Sequence, residues 1–261
     1  MSISMDDSLS VFRLPGLPDF KPGDDAANAI IDAVKALTSP LQDGDILVIA
    51  HKMISKCEGA IVNLADVSAS QDAIQLAKEV NKDPRKVEVI LGQSKRIVRA
   101  MKRPDQEEGV LIAEHKLGFI CANAAVDESN AEHINQLITL PEDPDKSARE
   151  VCSRLEDAFG CRLGIVISDT FGRPWRLGQT NVAIGLANVP AITHMLGDQD
   201  AYGHELKVTA PAFADELAGA SGLLMSKSGK CPVIVFRGLE WQSEESQASD
   251  LVRAANENLF K

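Results

Sequence analysis

The chain has 261 residues, 44% of them hydrophobic, and a formal net charge of −11. It is long enough to bury a substantial core in one large domain or two small ones, and its acidity argues against a nucleic-acid-binding surface. No apolar run reaches the roughly 18 residues that cross a membrane, and Met1 to Ser10, with Asp6 and Asp7, does not resemble a signal peptide.

The cysteines favour a reducing compartment. They are odd in number and show no C-x-x-C spacing, which is typical of reduced, buried thiols rather than of a disulfide framework. We therefore expect a soluble cytoplasmic protein. The five cysteines are Cys57, Cys121, Cys152, Cys161 and Cys231.

Short apolar runs bounded by turn residues predict strands along the whole chain. The third and fourth runs are expected to pair as a hairpin across Glu114-His115-Lys116. In chain order the runs cover residues 46–50, 87–91, 109–113, 117–122, 163–167, 181–186 and 232–236.

Helical periodicity and capping residues predict helices between these strands. A basic stripe over residues 95–103 is predicted to lie on one helix face, either as solvated surface or as a site for an acidic substrate or partner. Strands alternating with helices indicate a mixed α/β (α+β) fold without repeats or long linkers. Five further helices are predicted. The first begins after Asp24 or Asp25, and the second begins after Ser68 or Ser70. The third covers 147–159 and stops at Gly160, the fourth begins at Pro211, and the fifth covers 251–259.

The run over 163–167 leads into a cluster of polar residues. Asp169 and Thr170 offer hard oxygen ligands, and Arg173 and Arg176 offer forked donors for phosphate or carboxylate. Chemistry in α/β proteins is often carried by the loop beyond a buried strand. An ordinary Gly-Arg-Pro turn is the alternative interpretation.

A second apolar run, over 117–122, is also followed by a carboxylate. Asp127 follows it, with Ser129 and Asn130 close behind, and small alanines in between would let a ligand approach the backbone. Two strand ends that each carry an aspartate suit a shared divalent cation. Alternatively, Asp127 and Ser129 cap the next helix.

Candidate phosphate-binding groups lie elsewhere, although the G-x-G-x-x-G and P-loop motifs are absent. His51 and Lys52, with Lys56 nearby, follow the strand over 46–50 directly. The segment 226–230 is a compact loop of hydroxyls, amides and ammonium groups, which either binds an anion or is a solvated turn. The polar loop 197–205 with His204 is a further candidate for holding a substrate, and the histidines lack zinc-ligand spacing.

Seven blocks of sequence, in this order, resemble the coenzyme F-420:L-glutamate ligase family. The resemblance covers about Leu14 to Gly238, and ordered blocks with irregular spacing are more specific than any single motif. The blocks are Pro15-Gly16-Leu17-Pro18, Asp43-Gly44-Asp45, Ile54 to Gly59, Cys121 to Asn130, Ile167 to Arg173, Asp200 to Leu206 and Ala214 to Leu217.

The resemblance implies a two-part α/β fold of mixed sheets and flanking helices, forming one ligase unit over 1–261 with two intertwined subdomains as an option. It implies a homodimer. Some relatives carry an additional C-terminal flavin-fold domain, and this chain is expected to lack one because it ends too early. The resemblance also implies a GTP-dependent ligase that adds γ-linked glutamate to a deazaflavin precursor with Mg²⁺ or Mn²⁺, K⁺ being an additional candidate. No nucleic-acid or membrane partner is expected.

The same resemblance implies roles for individual residues. Lys227 stands where family members often carry an acidic or amide ligand, so its ammonium is expected to face the terminal phosphate or the forming acyl phosphate instead. A solvated loop residue is the alternative interpretation. Asp127, Asp169 and Thr170 are expected to hold the metal, and Lys56, Arg173 and Lys227 to act in catalysis. The nucleotide contacts are expected from Pro15, Gly16, Leu17, Pro18, Ala50, His51, Lys56, Asn130, Ser226, Lys227, Ser228 and Gly229.

The expected chemistry follows from the substrates. A carboxylate is a poor acyl donor, so GTP would convert it to an acyl phosphate that the glutamate amine then attacks, and this transfer needs mainly positioning and charge neutralisation. Two alternatives remain open at this stage. One is a metal-dependent nucleotide phosphohydrolase, and the other is a non-catalytic nucleotide-binding protein.

Overall fold

The computed structural model describes residues 8–130, 133–225 and 229–257 and confirms a mixed α/β fold. None of the helices in these ranges combines the length and apolar character needed to cross a bilayer. The elements are β1 (Ser10–Arg13), α1 (Ala26–Lys35), β2 (Ile46–Ala50), α2 (His51–Cys57), β3 (Ile61–Asn63), α3 (Gln71–Val80), α4 (Pro84–Gln93), β4 (Ser94–Met101), β5 (Val110–His115), β6 (Ile120–Ala122), β7 (Gln136–Ile138), α5 (Pro144–Phe159), β8 (Gly164–Arg173), β9 (Arg176–Ala187), α6 (Phe213–Ser221) and β10 (Val233–Arg237).

The largest sheet has five strands in the order β1-β10-β2-β8-β9. Its neighbours pair antiparallel except β2 and β8, which run parallel with Ala50 opposite Ser168. The side chains of Ile46 to Ile49 and Ile165 to Ile167 are fully buried, so the centre of this sheet forms the core. Helices α5 and α6 pack on β8 and β9.

Gly185 of β9 allows α5 to approach this sheet closely. A Cβ added at Gly185 would lie 2.5 Å from the carbonyl oxygen of Pro144, where α5 begins. A carboxylate from the first turn of α5 completes the contact, since Asp145 Oδ1 accepts the Leu186 N–H at 2.8 Å. The helix ends at Gly160 in the left-handed conformation with φ of 65°, as the sequence predicts.

A smaller core forms between the helices α3 and α4 and the three-stranded sheet β4-β5-β6. The predicted hairpin of residues 109–113 and 117–122 is confirmed, because β5 pairs antiparallel with β6. Ser70 caps α3, and Asp25 caps α1 in the same way, by accepting backbone N–H groups of the first turn. Strands β3 and β7 pair separately as a two-stranded sheet.

Two predictions in this smaller core are wrong. Residues 87–91, predicted as a strand, lie in α4, because Asp83 supplies an N-cap and Pro84 occupies the first turn. Residues 95–101, predicted as part of a helix, lie in β4, because pairing with β5 satisfies their backbone groups. Arg96 there donates to Glu114 on the neighbouring strand at 2.7 Å.

Three element boundaries also differ from the predictions. Strand β8 continues past Ile167 to Arg173, so Asp169 and Thr170 lie within an extended hairpin with β9 and not in a loop. Helix α6 begins at Phe213, after Pro211. The predicted terminal helix over 251–259 is replaced, as far as Glu257, by short 3₁₀ turns at Ala248–Leu251 and Ala255–Glu257, and residues 258 and 259 lie outside the described ranges.

Candidate functional site

A cavity of about 1220 Å³ opens where β2 ends and α2 begins, beside the middle of β8. Ligands of α/β sheets commonly bind beyond the carboxyl ends of parallel strands, which is the position of this cavity relative to β2 and β8. Residues from widely separated parts of the sequence meet there. The residues predicted from sequence that line it are Pro18, Ala50, His51, Lys56, Asp127, Asn130, Asp169 and Thr170.

The other predicted residues lie elsewhere or are not described. Pro15 and Gly16 line a neighbouring cavity of about 620 Å³ that shares Pro18, and Leu17 packs against the main core. Arg173 lies at the exposed tip of the β8–β9 hairpin, where its Nη2 donates to the Leu177 carbonyl at 2.9 Å. Gly229 is outside the cavity lining, and Ser226, Lys227 and Ser228 fall outside the described residues.

Asp169 is nearly buried and turns one carboxylate oxygen toward the protein. Its Oδ1 accepts the Thr170 N–H at 2.6 Å and lies 3.1 Å from Nε2 of His51. Among the described residues, no donor contacts Oδ2. The second oxygen is therefore available to a ligand in the cavity.

His51 is held in the first turn of α2 by a buried serine. The residue is 2% exposed, and its Nδ1 lies 3.2 Å from Oγ of Ser55, which is fully buried. A proton on Nε2, with Ser55 donating to Nδ1, is the tautomer that avoids placing a ring lone pair against the Asp169 carboxylate. Nε2 of His51 thus lies close to the Asp169 carboxylate without making a hydrogen bond to it.

Asp127 forms an ion pair with a lysine of the same chain. Its Oδ2 lies 2.5 Å from Nζ of Lys52, and its Oδ1 accepts the Ser129 N–H at 2.7 Å. Burial alone would raise the pKa of Asp127, but the Lys52 ammonium and the Ser129 donors outweigh it and hold the pKa below its ordinary value. Asp127 is therefore ionised at neutral pH.

The backbone before Asp127 is strained. Asn123, Ala124 and Ala125 have φ angles of 52°, 49° and 54° in succession, in the left-handed region, which costs about 1–2 kcal/mol for each residue other than glycine. The small side chains of Ala124 and Ala125 are buried. This turn redirects the chain from β6 toward the cavity, and no helix follows in residues 126–130 or 133–143 for Asp127 or Ser129 to cap.

The donor set fits a hard divalent cation that also binds substrate. Two carboxylates and the Thr170 hydroxyl are oxygen ligands of the kind that Mg²⁺ prefers, and Mg²⁺ usually combines one or two protein carboxylates with substrate phosphates and waters. The Thr170 hydroxyl donates to Oδ1 of Asn181 at 2.8 Å and keeps its lone pairs. Among the described residues, no group of three or more His, Cys, Asp or Glu side chains forms a complete metal cage.

Two lysines give the cavity positive charge that its carboxylates do not neutralise. Lys56 in α2 and Lys21 both line it, and within the described ranges neither has a carboxylate at ion-pair distance. Lys230, by contrast, lies 2.6 Å from Asp19. The free ammonium groups suit an anionic ligand on a chain whose overall charge is negative.

Several lining residues were not singled out by the sequence, and one, Lys52, was expected to play a different part. Ser168 is hidden in an apolar strand run, and only its place just before Asp169 hinted at a role. Lys52 was expected to face phosphate but pairs with Asp127. The far wall comes from β9, α6 and the segment after it. Its lining residues are Gln179, Thr180, Asn181, Gly219, Gly222 and Leu223.

Comparison with known proteins gives a consistent family match. Residues 16–238 match the family model described as F420-0:Gamma-glutamyl ligase. The chain is similar to the coenzyme F420:L-glutamate ligase of Methanopyrus kandleri, at 42% identity over 92% of this chain and 93% of that protein. It is 40% identical to the enzymes of that name from Methanothermobacter thermautotrophicus (89% of this chain, 90% of that protein) and Methanocaldococcus jannaschii (85% and 86%).

Proposed function

Because the chain belongs to the F420-0:gamma-glutamyl ligase family, we propose that it adds L-glutamate through a γ-linked amide to the deazaflavin precursor of coenzyme F420. Membership makes the protein an amide-bond-forming ligase. The single observation that carries the proposal is the convergence of Lys56, Asp127, Asn130 and Asp169 on one cavity. These residues come from separate segments and include cationic, anionic and amide groups.

We further propose that GTP supplies the driving force. A carboxylate of the precursor attacks the γ-phosphorus of GTP, which forms an acyl phosphate and releases GDP. The amine of glutamate then attacks the acyl carbon, a proton is lost, and inorganic phosphate leaves as the amide forms. A volume of about 1220 Å³ exceeds the roughly 300–1,000 Å³ of ordinary ligand pockets, which supports more than one substrate in the site.

The chain's own groups would position these substrates. The Lys56 ammonium has no carboxylate partner among the described residues and would attract the phosphates. Asn130 would bind the nucleotide by its amide, together with the backbone at Ala50 and the loop from Pro15 to Pro18. The Asp169 carboxylate, which lies 3.1 Å from Nε2 of His51, would face the cavity with its second oxygen. Phosphoryl transfer depends mainly on such positioning and charge neutralisation.

A divalent cation, Mg²⁺ or Mn²⁺, fits this site, where Asp127, Asp169 and Thr170 would hold it. When bound, it would offset the negative charge of the phosphate groups. The Lys52 ammonium would have to share Asp127 with it or move away. A role for K⁺ in addition rests only on the resemblance to the family.

We propose that the protein works as a homodimer in the cytoplasm. Two hairpin-like segments, the β8–β9 tip and residues 193–211, project large apolar side chains into solvent, which is typical of an interaction surface. Leu177 is 98% exposed and Val208 91% exposed. All five cysteines are free, which agrees with a reducing compartment. The exposed apolar residues of the two segments are Trp175, Leu177, Leu196, Tyr202 and Val208.

Nucleotide turnover with and without glutamate tests the proposal. The protein is incubated with GTP, Mg²⁺ and the deazaflavin precursor, and GDP is quantified by chromatography. We expect GDP release to require both the precursor and glutamate. Equal GDP release without glutamate would show a phosphohydrolase instead, and GTP binding without any turnover would show a non-catalytic nucleotide-binding protein.

A further inference from the structure

The pairing of β8 with β9 is irregular at the point where the two strands reach the cavity. Ile167 of β8 lies opposite Gly185 of β9. The next residue, Ser168, lies opposite Ala183, so β9 has one extra residue at this point. Such a bulge bends the strand and re-aims its side chains, and bulges are frequent next to active sites. Asp169 comes directly after the bulge and lines the cavity.

A carboxylate from α6 is bonded to the backbone of this bulge. Oδ1 of Asp215, in the first turn of α6, accepts the N–H of Ala183 at 2.8 Å. A bulge disrupts the regular ladder of strand hydrogen bonds, and a buried backbone N–H without a partner is costly. Ala183 is 2% exposed, so the bond from the helix satisfies an N–H that water does not reach.

The surroundings of Asp215 favour a role beyond stability. Burial raises the pKa of Asp215, and the Ala183 N–H opposes this effect only in part. Among the described residues, no cationic side chain pairs with the carboxylate. A buried charge that lacks a cationic partner costs free energy. Asp215 also belongs to the block Ala214 to Leu217, to which the sequence assigned no function.

The end of the same helix supports the second proposed cation ligand of β8. The hydroxyl of Thr170 donates to Oδ1 of Asn181 at 2.8 Å, and Nδ2 of Asn181 donates to Oγ of Ser221, the last residue of α6, at 3.5 Å. Helix α6 is thus bonded to β9 at Ala183 and at Asn181. These two residues lie opposite the positions on either side of Asp169.

We propose that Asp215 is a positioning residue for the cation site. Its bond to Ala183 fixes the bulge, and the bulge sets the direction in which Asp169 leaves β8. This inference rests on the proposed function, in which Asp169 holds the divalent cation. Asp215 does not line the cavity, so it acts through the backbone of β9 and not by contact with a substrate.

Asp145 is the matched control, because it makes the same kind of bond to the same strand. It lies in the first turn of α5, its Oδ1 accepts the Leu186 N–H at 2.8 Å, and burial raises its pKa as well. Leu186 lies opposite Val166, and neither residue lines the cavity. Removing the Asp145 carboxylate should therefore destabilise the protein without disturbing the cation site.

The experiment compares wild type, Asp215→Ala, Asp215→Asn and Asp145→Ala. Calorimetric titration measures Mn²⁺ affinity, thermal unfolding measures stability, and amide hydrogen exchange by NMR probes residues 168–170 of the metal-free protein. We expect Asp215→Ala to bind Mn²⁺ roughly ten- to hundredfold more weakly, the usual effect of losing a group that orients metal ligands. Its amides at 168–170 should exchange faster than those of the wild type.

The other two variants separate positioning from stability and from charge. Asp215→Asn should restore the Mn²⁺ affinity and the slow exchange, because its amide oxygen still accepts the Ala183 N–H. Asp145→Ala should melt at a lower temperature than the wild type and bind Mn²⁺ with unchanged affinity. Should Asp215→Ala not fold, Asp215→Glu, which displaces the carboxylate by one methylene, takes its place with the same expectation.

Three results would overturn the inference. Mn²⁺ affinity equal to wild type in Asp215→Ala would show that the bond does not position Asp169. An equal loss of affinity in Asp215→Asn would assign the effect to the charge, and an equal loss in Asp145→Ala would assign it to general stability. A wild type that binds no Mn²⁺ would instead overturn the proposed cation site, and unchanged exchange at 168–170 would separately refute the fixing of the bulge.

Discussion

The ammonium of Lys52 lies 2.5 Å from Oδ2 of Asp127, and both residues line the same cavity. Asp127 is one of the two carboxylates proposed to hold the divalent cation. The protein's own ammonium group thus neutralises a carboxylate that is proposed to bind the metal. Opposite charges so close keep the carboxylate ionised, and they set up a competition between lysine and metal.

Replacing Lys52 by methionine should therefore make the protein more responsive to Mn²⁺. Without the ammonium, Asp127 lacks its ion pair, so the metal-free protein should lose about 1 kcal/mol or more of unfolding free energy. Because Mn²⁺ no longer displaces a lysine, its addition should raise the melting temperature further in Lys52→Met than in wild type. Thermal unfolding across a Mn²⁺ series measures both effects.

Lys82→Met is the matched control, because Lys82 pairs with Glu108 at 2.8 Å away from the cavity. It should lower the melting temperature without changing the Mn²⁺ response. Identical Mn²⁺ responses in Lys52→Met and wild type would contradict the competition.

The two aspartates themselves should be indispensable for activity. Asp127→Asn and Asp169→Asn keep an oxygen that accepts the Ser129 or Thr170 N–H, so we expect both variants to fold. Each loses a negative charge at the cation site, and kcat should fall at least about a hundredfold, the scale of losing one preorganised electrostatic group. Steady-state GDP release and Mn²⁺ titration measure turnover and metal affinity.

Asp83→Asn provides the comparison, because Asp83 caps α4 and pairs with Arg85 instead of lining the cavity. It should retain turnover and metal affinity. Ordinary activity at ordinary Mg²⁺ in either Asp127→Asn or Asp169→Asn would remove that residue from the metal site.

His115 should make the protein less stable in mild acid. Burial, followed by the Lys116 and Lys95 ammonium groups, lowers the pKa of His115 to about 4, against about 6.5 in the unfolded chain. Between these values the unfolded chain binds more protons, so the His115 contribution is complete above about pH 6.5 and is lost as the pH falls toward 4. The loss from this group between pH 7 and pH 5 is about 2 kcal/mol.

Denaturant unfolding of wild type and His115→Asn at both pH values isolates this effect. Asparagine keeps an oxygen near the Nδ1 position, which accepts the Leu117 N–H at 3.0 Å, but it does not titrate. The variant should lose about 2 kcal/mol less than wild type on acidification. Equal losses would show that His115 does not carry the pH dependence.

The exposed hairpins should mediate self-association. Leu177→Ser and Val208→Ser each remove an apolar group that is more than nine-tenths exposed, and together they should shift the protein from dimer to monomer. Light scattering after size-exclusion chromatography measures the mass in solution. Ile134→Ser, at a site 94% exposed outside both hairpins, should remain dimeric, and a dimeric double variant would place the interface elsewhere.

The sequence predicted those elements whose positions depend on local features, such as capping residues and apolar runs. Asp25, Ser70 and Gly160 act as the caps that their positions suggested, and the apolar run over 46–50 forms a central strand. The hydrophobic pattern predicted the wrong element where packing and strand pairing between distant segments determine the secondary structure. Val87 to Leu91 were predicted as a strand, although a short apolar run cannot distinguish a strand from a buried helix segment. The basic residues of 95–101 lie in a strand because β5 pairs with them.

The sequence predicted the charged residues of the candidate site and missed lining residues that belong to no recognisable motif. Asp127 and Asp169 follow strand runs and were expected to meet, and they line one cavity. The Lys52–Asp127 pair joins residues 75 positions apart in sequence, which no local pattern encodes. Ser168 lines the cavity from within an apolar strand run, and that run does not distinguish it from its neighbours.

The most direct test of the central claim is mass spectrometry of the deazaflavin product. After incubation of the precursor with the protein, GTP, Mg²⁺ and L-glutamate, the product should gain the mass of one or more glutamyl residues, with one GDP formed per residue added. Fragmentation should show a γ-linked amide. A precursor of unchanged mass, in a reaction where GTP is consumed, would contradict ligation and leave nucleotide hydrolysis as the activity.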